Sequence, residues 1–206
     1  MNALSPATRT LAGLIALVAW AGLIVQFHAS LELTGSAPTA LWIMLRYFTI
    51  IANLLVACVF TAATLGNTAI ASPSVLGLAT LAILLVGIVY HLLLRELVEL
   101  DGSAKLADFL THTATPVAVP LFWLFCAPKG GLRPRDPLLW TLLPLVYFAY
   151  GMLRGALEGR YAYPFMDVGR LGWAHVGFVA LAMAAGFVLT GFFMLALDRP
   201  LARGPR

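Results

Sequence analysis

Six stretches of this chain, each about 20 residues or longer, are apolar enough to cross a bilayer as helices. They run roughly over 7–28, 40–64, 74–94, 106–127, 137–157 and 171–197. A helix satisfies its backbone donors and acceptors within its own segment, so a chain built from such stretches has few alternatives to a helical membrane bundle. Only 11% of the residues are charged, against about 25% in a soluble domain, which leaves too little polar surface to face water. The links carry turn chemistry: Gly35-Ser36-Ala37-Pro38, Ala71-Ser72-Pro73, Asp101-Gly102-Ser103 and Pro128-Lys129-Gly130-Gly131. None is long enough to be a separate domain. The expected fold is all-α: one integral membrane domain over 1–206, with six transmembrane helices in a single bundle. No small-residue cleavage site closes the first stretch, which therefore reads as a retained helix. No internal repeat points to an inverted-repeat transporter.

Charge sets the expected orientation. One side holds seven basic residues and two acids, a balance of +5; the other holds six basic residues and seven acids, a balance of −1. The basic side carries both ends of the chain, so both termini are expected in the cytoplasm. The overall charge of +4 is accounted for by this topology. No basic run with interleaved aromatics suggests nucleic-acid binding. Cys58 and Cys126 lie inside apolar stretches and read as packing thiols.

Within the apolar stretches the polar residues are few and patterned. Trp42, Arg46, Thr49 and Asn53 follow the i, i+4, i+7, i+11 spacing of one helix face. Asp108, Thr111, His112 and Thr115 form a second face, and Tyr147, Gly151, Arg154 and Glu158 a third. Under the six-span topology all three lie in the outer half of the membrane, a pattern that fits a pocket and not a channel. Thr49 is expected about 14 Å deep and His112 about 9 Å, from the rise of a straight helix. A hydroxyl, an amide and an imidazole in hydrocarbon each need a partner. A hydroxyl beside an imidazole is also the minimal apparatus of nucleophilic catalysis. Each feature has a structural alternative. Membrane threonines commonly bond back to the carbonyl one turn earlier, Asn53 could tie two helices together, and Arg154 could simply pair with Glu158. Asp108, one turn before His112, could hold the imidazole in one tautomer or sit as an interfacial carboxylate. Pro116 and Pro120 are expected to bend the fourth stretch. His28, His91, His112 and His175 leave a haem-binding bundle open as a rival, though no haem- or zinc-binding motif is present and no metal or cofactor is expected.

Taken in order, Arg46-Tyr47-Phe48-Thr49, His112-Thr113-Ala114-Thr115-Pro116 and Tyr163-Pro164-Phe165-Met166-Asp167 resemble the androgen-induced-gene-one and ADTRP family of polytopic membrane proteins. The chain is more similar still to that family's bacterial six-helix relatives, through Pro128-Lys129-Gly130-Gly131-Leu132 and the stretch 147–167. The resemblance spans about Leu41 to Arg199. It implies a threonine hydrolase of lipid esters, of the type that cleaves fatty acid esters of hydroxy fatty acids, in a bacterial inner membrane. Carried over residue by residue, it makes Thr49 the nucleophile and His112 the general base. Asn53, Arg46, Tyr163, Asp108 and Arg154 are the supporting or oxyanion-donor candidates. The chain departs from the animal pattern in two places: its proline follows the histidine by four residues instead of five, and Asn53 stands near an acidic position. The expected partner is a lipid drawn from the bilayer. The alternative to catalysis is a pocket that only binds lipid or serves assembly.

Overall fold

Serine and proline start the first helix of the computed structural model, which describes residues 4–97 and 99–202. The Ser5 hydroxyl accepts the Thr8 N–H and Pro6 takes the first helical position, where a missing N–H costs nothing. Helix α1 (Pro6–Thr34) then runs to Gly35, whose φ of 64° lets its N–H turn back to the Leu31 carbonyl. The other helices are α2 (Ala37–Met44), α3 (Phe48–Thr64), α4 (Pro73–Val89), α5 (Gly102–Phe109), α6 (Thr115–Phe125), α7 (Asp136–Trp140), α8 (Leu142–Glu158) and α9 (Val168–Ala202). Two π-helical turns, Tyr90–Leu94 and Leu110–Ala114, extend α4 and join α5 to α6, and a 3₁₀ turn, Pro164–Met166, precedes α9. No strand occurs among the described residues.

Four of the described helical stretches are long and apolar enough to cross a membrane, and the bent pair α2–α3 makes a fifth. The fourth expected segment is helical from Gly102 to Phe125 but interrupted by its π turn. Small residues let the helices approach closely. Ala12, Ala16 and Ala19 of α1 are buried, as are Ala52, Val56, Val59 and Ala63 of α3, and the two helices pack on each other. Phe60 of α3 meets Phe122 of α6 edge to face, with ring centroids 5.0 Å apart. Cys58 and Cys126 are free thiols.

The second expected span is not straight. It breaks at residues 45–47, and α3 leaves α2 at 95°. The stripe read from the sequence is therefore split: Trp42 and Arg46 belong to the α2 side of the break, Thr49 and Asn53 to the first turns of α3. A break inside an apolar region frees carbonyls that need donors, and α8 supplies them from one face. The Arg154 guanidinium donates to Trp42 O at 2.6 Å, the Tyr150 hydroxyl to Leu45 O at 3.1 Å, and the Tyr147 hydroxyl to Arg46 O at 2.8 Å. Glu158, one turn beyond Arg154, accepts from Arg154, Arg46 and the Trp42 indole. The Arg154 guanidinium also lies 4.0 Å over the Trp42 ring. The third polar stripe thus caps the end of α2 across space and fixes where α3 begins.

At the other end of the bundle, the run 128–132 is architectural. The Lys129 ammonium donates to Ala127 O at 2.9 Å and to Trp123 O, closing off the last carbonyls of α6; burial lowers its pKa. A side chain at Gly131 would collide with Pro73, 2.6 Å from the position of its Cβ. The Leu132 N–H donates to the Asp198 carboxylate at 3.0 Å, which ties this loop to α9.

Candidate active site

Thr49 is the second residue of α3. The residue one turn earlier, Leu45, lies in the break, so the Thr49 hydroxyl has no regular helix carbonyl to bond back to. Six other threonines of the apolar segments behave differently. Thr61, Thr64, Thr80, Thr111, Thr141 and Thr190 each donate to the carbonyl four residues earlier at 2.7–2.9 Å. The Thr49 hydroxyl instead meets His112 Nε2 at 3.1 Å. The second span is bent and not straight, and the two residues that the resemblance pairs, Thr49 and His112, lie within hydrogen-bond distance.

His112 lies in the π turn Leu110–Ala114. Pro116 explains the turn. It has no N–H to give His112 O, the acceptor one turn earlier, and its ring crowds that carbonyl. The backbone takes up the wider i to i+5 spacing: both the N–H and the hydroxyl of Thr115 donate to Leu110 O. Pro116 also packs on Gly87 of α4, where an added Cβ would stand 2.7 Å from the proline Cβ and 3.8 Å from His112 O. Only a glycine lets α4 come this close.

On its other nitrogen, His112 Nδ1 faces Asp108 Oδ1 at 2.9 Å. A carboxylate accepts, so Nδ1 carries the proton and Nε2 keeps its lone pair toward Thr49. The Thr111 hydroxyl lies 3.3 Å from the same Nδ1. Tyr90, first residue of the other π turn, donates its hydroxyl to Asp108 Oδ2 at 2.5 Å. The Tyr90 ring stacks on the imidazole, centroids 4.1 Å apart and planes 16° apart. The result is one hydrogen-bonded line, Tyr90–Asp108–His112–Thr49, drawn from α3, the extension of α4 and the α5–α6 junction. The side chains of His112 and Asp108 are 17% and 19% exposed, so the line is not sealed inside the protein.

The remaining expected residues take other places. Asn53 is fully buried, and its side-chain amide donates to Thr49 O at 2.9 Å and Thr111 O at 3.1 Å. Both protons are committed, so Asn53 clamps the start of α3 to the histidine turn and is not an oxyanion donor. Arg46 and Arg154 are engaged by Glu158 and the end of α2; they brace the break and do not line the cavity beside Thr49. Tyr163 does line it. Its hydroxyl oxygen accepts the Phe48 N–H at 3.0 Å. Sequence reasoning missed Tyr90, because a tyrosine at a helix end reads as an interfacial aromatic and nothing in the spacing links it to Asp108.

Thr49 opens onto an apolar cavity of about 110 Å³ between α3, α4, α8 and α9. Its walls include Leu85, Val89, Phe148, Phe165, Val179 and Met183, and its polar edge is Thr49, Tyr90, Tyr147 and Tyr163. A second groove between α4 and α9 shares Leu85, Val89, Val179 and Met183 with it. Among the described residues no cluster of three or more His, Cys, Asp or Glu side chains forms a metal site. For the haem reading, both His112 nitrogens already face partners, and His91 Nε2 lies 3.3 Å from the Thr113 hydroxyl. Compared with known proteins, the chain matches no family model, no curated protein and no solved structure.

Proposed function

We propose that this protein is an intramembrane hydrolase of lipid esters, with Thr49 as nucleophile, His112 as general base and Asp108 as the group that orients the base. The observation that carries this reading is the line Asp108–His112–Thr49, at 2.9 Å and 3.1 Å, ending at an apolar cavity. A threonine used for packing has no need of an oriented imidazole, and an imidazole used for packing has no need of a carboxylate that fixes its tautomer. In the proposed topology all six stretches span the membrane, both termini are cytoplasmic, and the site lies in the outer half. The bacterial six-helix branch of the androgen-induced-gene-one and ADTRP family is the proposed kinship.

The chemistry follows the triad logic of acyl transfer. The Thr49 oxygen attacks the ester carbonyl carbon as its proton passes to His112 Nε2. The tetrahedral adduct collapses, the carbon–oxygen bond to the alcohol breaks, and Nε2 returns the proton to the departing alkoxide. Water then attacks the acyl-threonine, giving its proton to Nε2, and the Thr49 oxygen leaves as the hydroxyl. Alcohol and carboxylic acid are released. Asp108 stays ionised and balances the imidazolium in the transition states. The acyl chain lies in the apolar cavity, reached sideways from the bilayer along the groove between α4 and α9. Water approaches from the partly exposed His112 and Asp108.

The test is hydrolysis by the purified protein in liposomes doped with a fluorogenic long-chain ester. The expected result is turnover that tracks protein concentration. An unchanged ester after prolonged incubation with folded protein contradicts the reading.

A further inference from the structure

A cavity that takes an alkyl chain end-on also limits its length. The walls beside Thr49 run away from the polar edge: α4 from Tyr90 back to Leu85, α8 from Tyr147 back to Pro144, and α9 from Val176 on to Ala184. At about 1.5 Å of rise per residue, the α4 and α9 walls are about 8 Å and about 12 Å long. An extended alkyl chain advances about 1.25 Å per carbon, from bonds of about 1.5 Å and angles of about 111°, so this depth takes roughly six to ten carbons. The volume agrees. The cavity holds about 110 Å³. One water, close to a methylene in size, needs about 10–15 Å³ of such space, which gives room for roughly seven to eleven carbons.

Two parts of α9 set that limit. Ala180 and Ala184, one turn apart, line the cavity with small side chains and leave its far part open. Val179 and Met183 stand with Leu85 and Val89 of α4 between the cavity and the second groove, since both spaces touch all four residues. The groove is the larger space, about 390 Å³, and Thr49 does not line it. An acyl chain arrives from hydrocarbon as apolar as these walls, so its burial alone gains little. Fit decides instead. A short chain leaves the walls without contacts, and a long one must displace side chains.

We infer that this cavity selects acyl groups of about eight to ten carbons, with Ala184 setting its depth and Met183 closing its side. The inference rests on the hydrolase reading and deepens it by naming the length of the acyl group. Longer esters are cleaved more slowly, because their far carbons must fold back or push Met183 aside. Ala184→Phe fills the far end of the cavity. Met183→Ala opens the wall and joins the cavity to the groove. The two substitutions therefore move the length preference in opposite directions, which a general loss of packing does not.

The experiment measures kcat/KM for fluorogenic umbelliferyl esters of butanoic, octanoic, decanoic and hexadecanoic acid, each at the same mole fraction in liposomes. In wild type the octanoyl and decanoyl esters exceed the butanoyl and hexadecanoyl ones by about tenfold, the scale on which an apolar pocket discriminates by misplaced methylenes. Ala184→Phe lowers the decanoyl-to-butanoyl ratio by about tenfold, and Met183→Ala raises the hexadecanoyl-to-decanoyl ratio by a similar factor. A flat wild-type profile, or one that peaks at hexadecanoyl, overturns the inference and leaves the hydrolase reading in place. So does a pair of variants that slow all the esters alike, the mark of damaged packing. A wild type that cleaves none of the esters overturns the hydrolase reading and this inference with it. Should Ala184→Phe fail to fold, Ala184→Val takes its place, with a smaller shift of the same sign expected; an unshifted ratio there overturns the inference.

Discussion

Replacing Thr49 with alanine abolishes ester turnover, a fall on the order of 10⁶-fold by analogy with other hydroxyl nucleophiles, while the bundle stays folded. Three nearby hydroxyls are committed elsewhere. Thr111 donates to Ala107 O, Tyr90 to Asp108, and Thr115 to Leu110 O. The substitution deletes two buried heavy atoms in the first turn of α3 and loses the contact to His112. His112→Ala has an effect of the same order, and the double variant is no worse than either alone, because the two groups act in one proton transfer. Thr49→Ser keeps a hydroxyl on the same backbone position and retains measurable turnover. The checks are steady-state kinetics in liposomes, with circular dichroism and thermal unfolding in detergent as the folding controls. Wild-type activity in Thr49→Ala removes the threonine from the mechanism.

Asp108→Asn is the second large effect, about a 10⁴-fold fall in kcat, and here the tyrosine decides the severity. Tyr90 donates to one carboxylate oxygen and His112 Nδ1 to the other. In the variant the amide oxygen turns to accept from Tyr90, which leaves the amide nitrogen facing Nδ1. A donor there favours the tautomer protonated on Nε2, and an imidazole protonated on Nε2 cannot take the proton of Thr49. Adding Tyr90→Phe frees the amide to rotate and present its oxygen to Nδ1. The double variant is therefore expected to recover about tenfold or more of the activity lost in Asp108→Asn, out of the tautomer loss quoted above. Tyr90→Phe alone costs much less, since Asp108 still holds Nδ1. Kinetics of the three variants check this. Strict additivity of the two substitutions contradicts the assigned hydrogen-bond direction.

The sequence carried the membrane character through hydropathy, and it raised the question of whether Thr49 meets His112, because polar groups in hydrocarbon need partners. Hydropathy marks the apolar stretches, and the few polar interruptions then have few partners. Asp108 was ambiguous: one turn before His112 it could orient the imidazole or sit as an interfacial carboxylate, and only the 2.9 Å contact to Nδ1 decides. The break at residues 45–47 was not legible. It contains neither proline nor glycine, and its freed carbonyls are satisfied by Tyr147, Tyr150 and Arg154 from about a hundred residues away, a pairing that no local pattern records. Treating 40–64 as one straight helix placed Trp42 and Arg46 on the face of Thr49, whereas they join Arg154 and Glu158. The π turn at 110–114 was half legible: Pro116 announces a disturbance one turn earlier, but not whether the helix bends or widens. Asn53 was ambiguous because an amide can either donate to substrate or brace two helices, and only the positions of Thr49 O and Thr111 O decide.

The central claim is that the Thr49 oxygen becomes acylated, and a β-lactone carrying a long alkyl chain tests it most directly. Its ring opens on an activated hydroxyl and leaves a stable ester of known mass. Peptide mass spectrometry of the wild-type protein after reaction is expected to find that mass on Thr49, and on no other residue. His112→Ala treated in the same way is expected to stay unmodified. A wild type acylated at another residue, or a His112→Ala variant acylated on Thr49 as fast as wild type, would contradict the account.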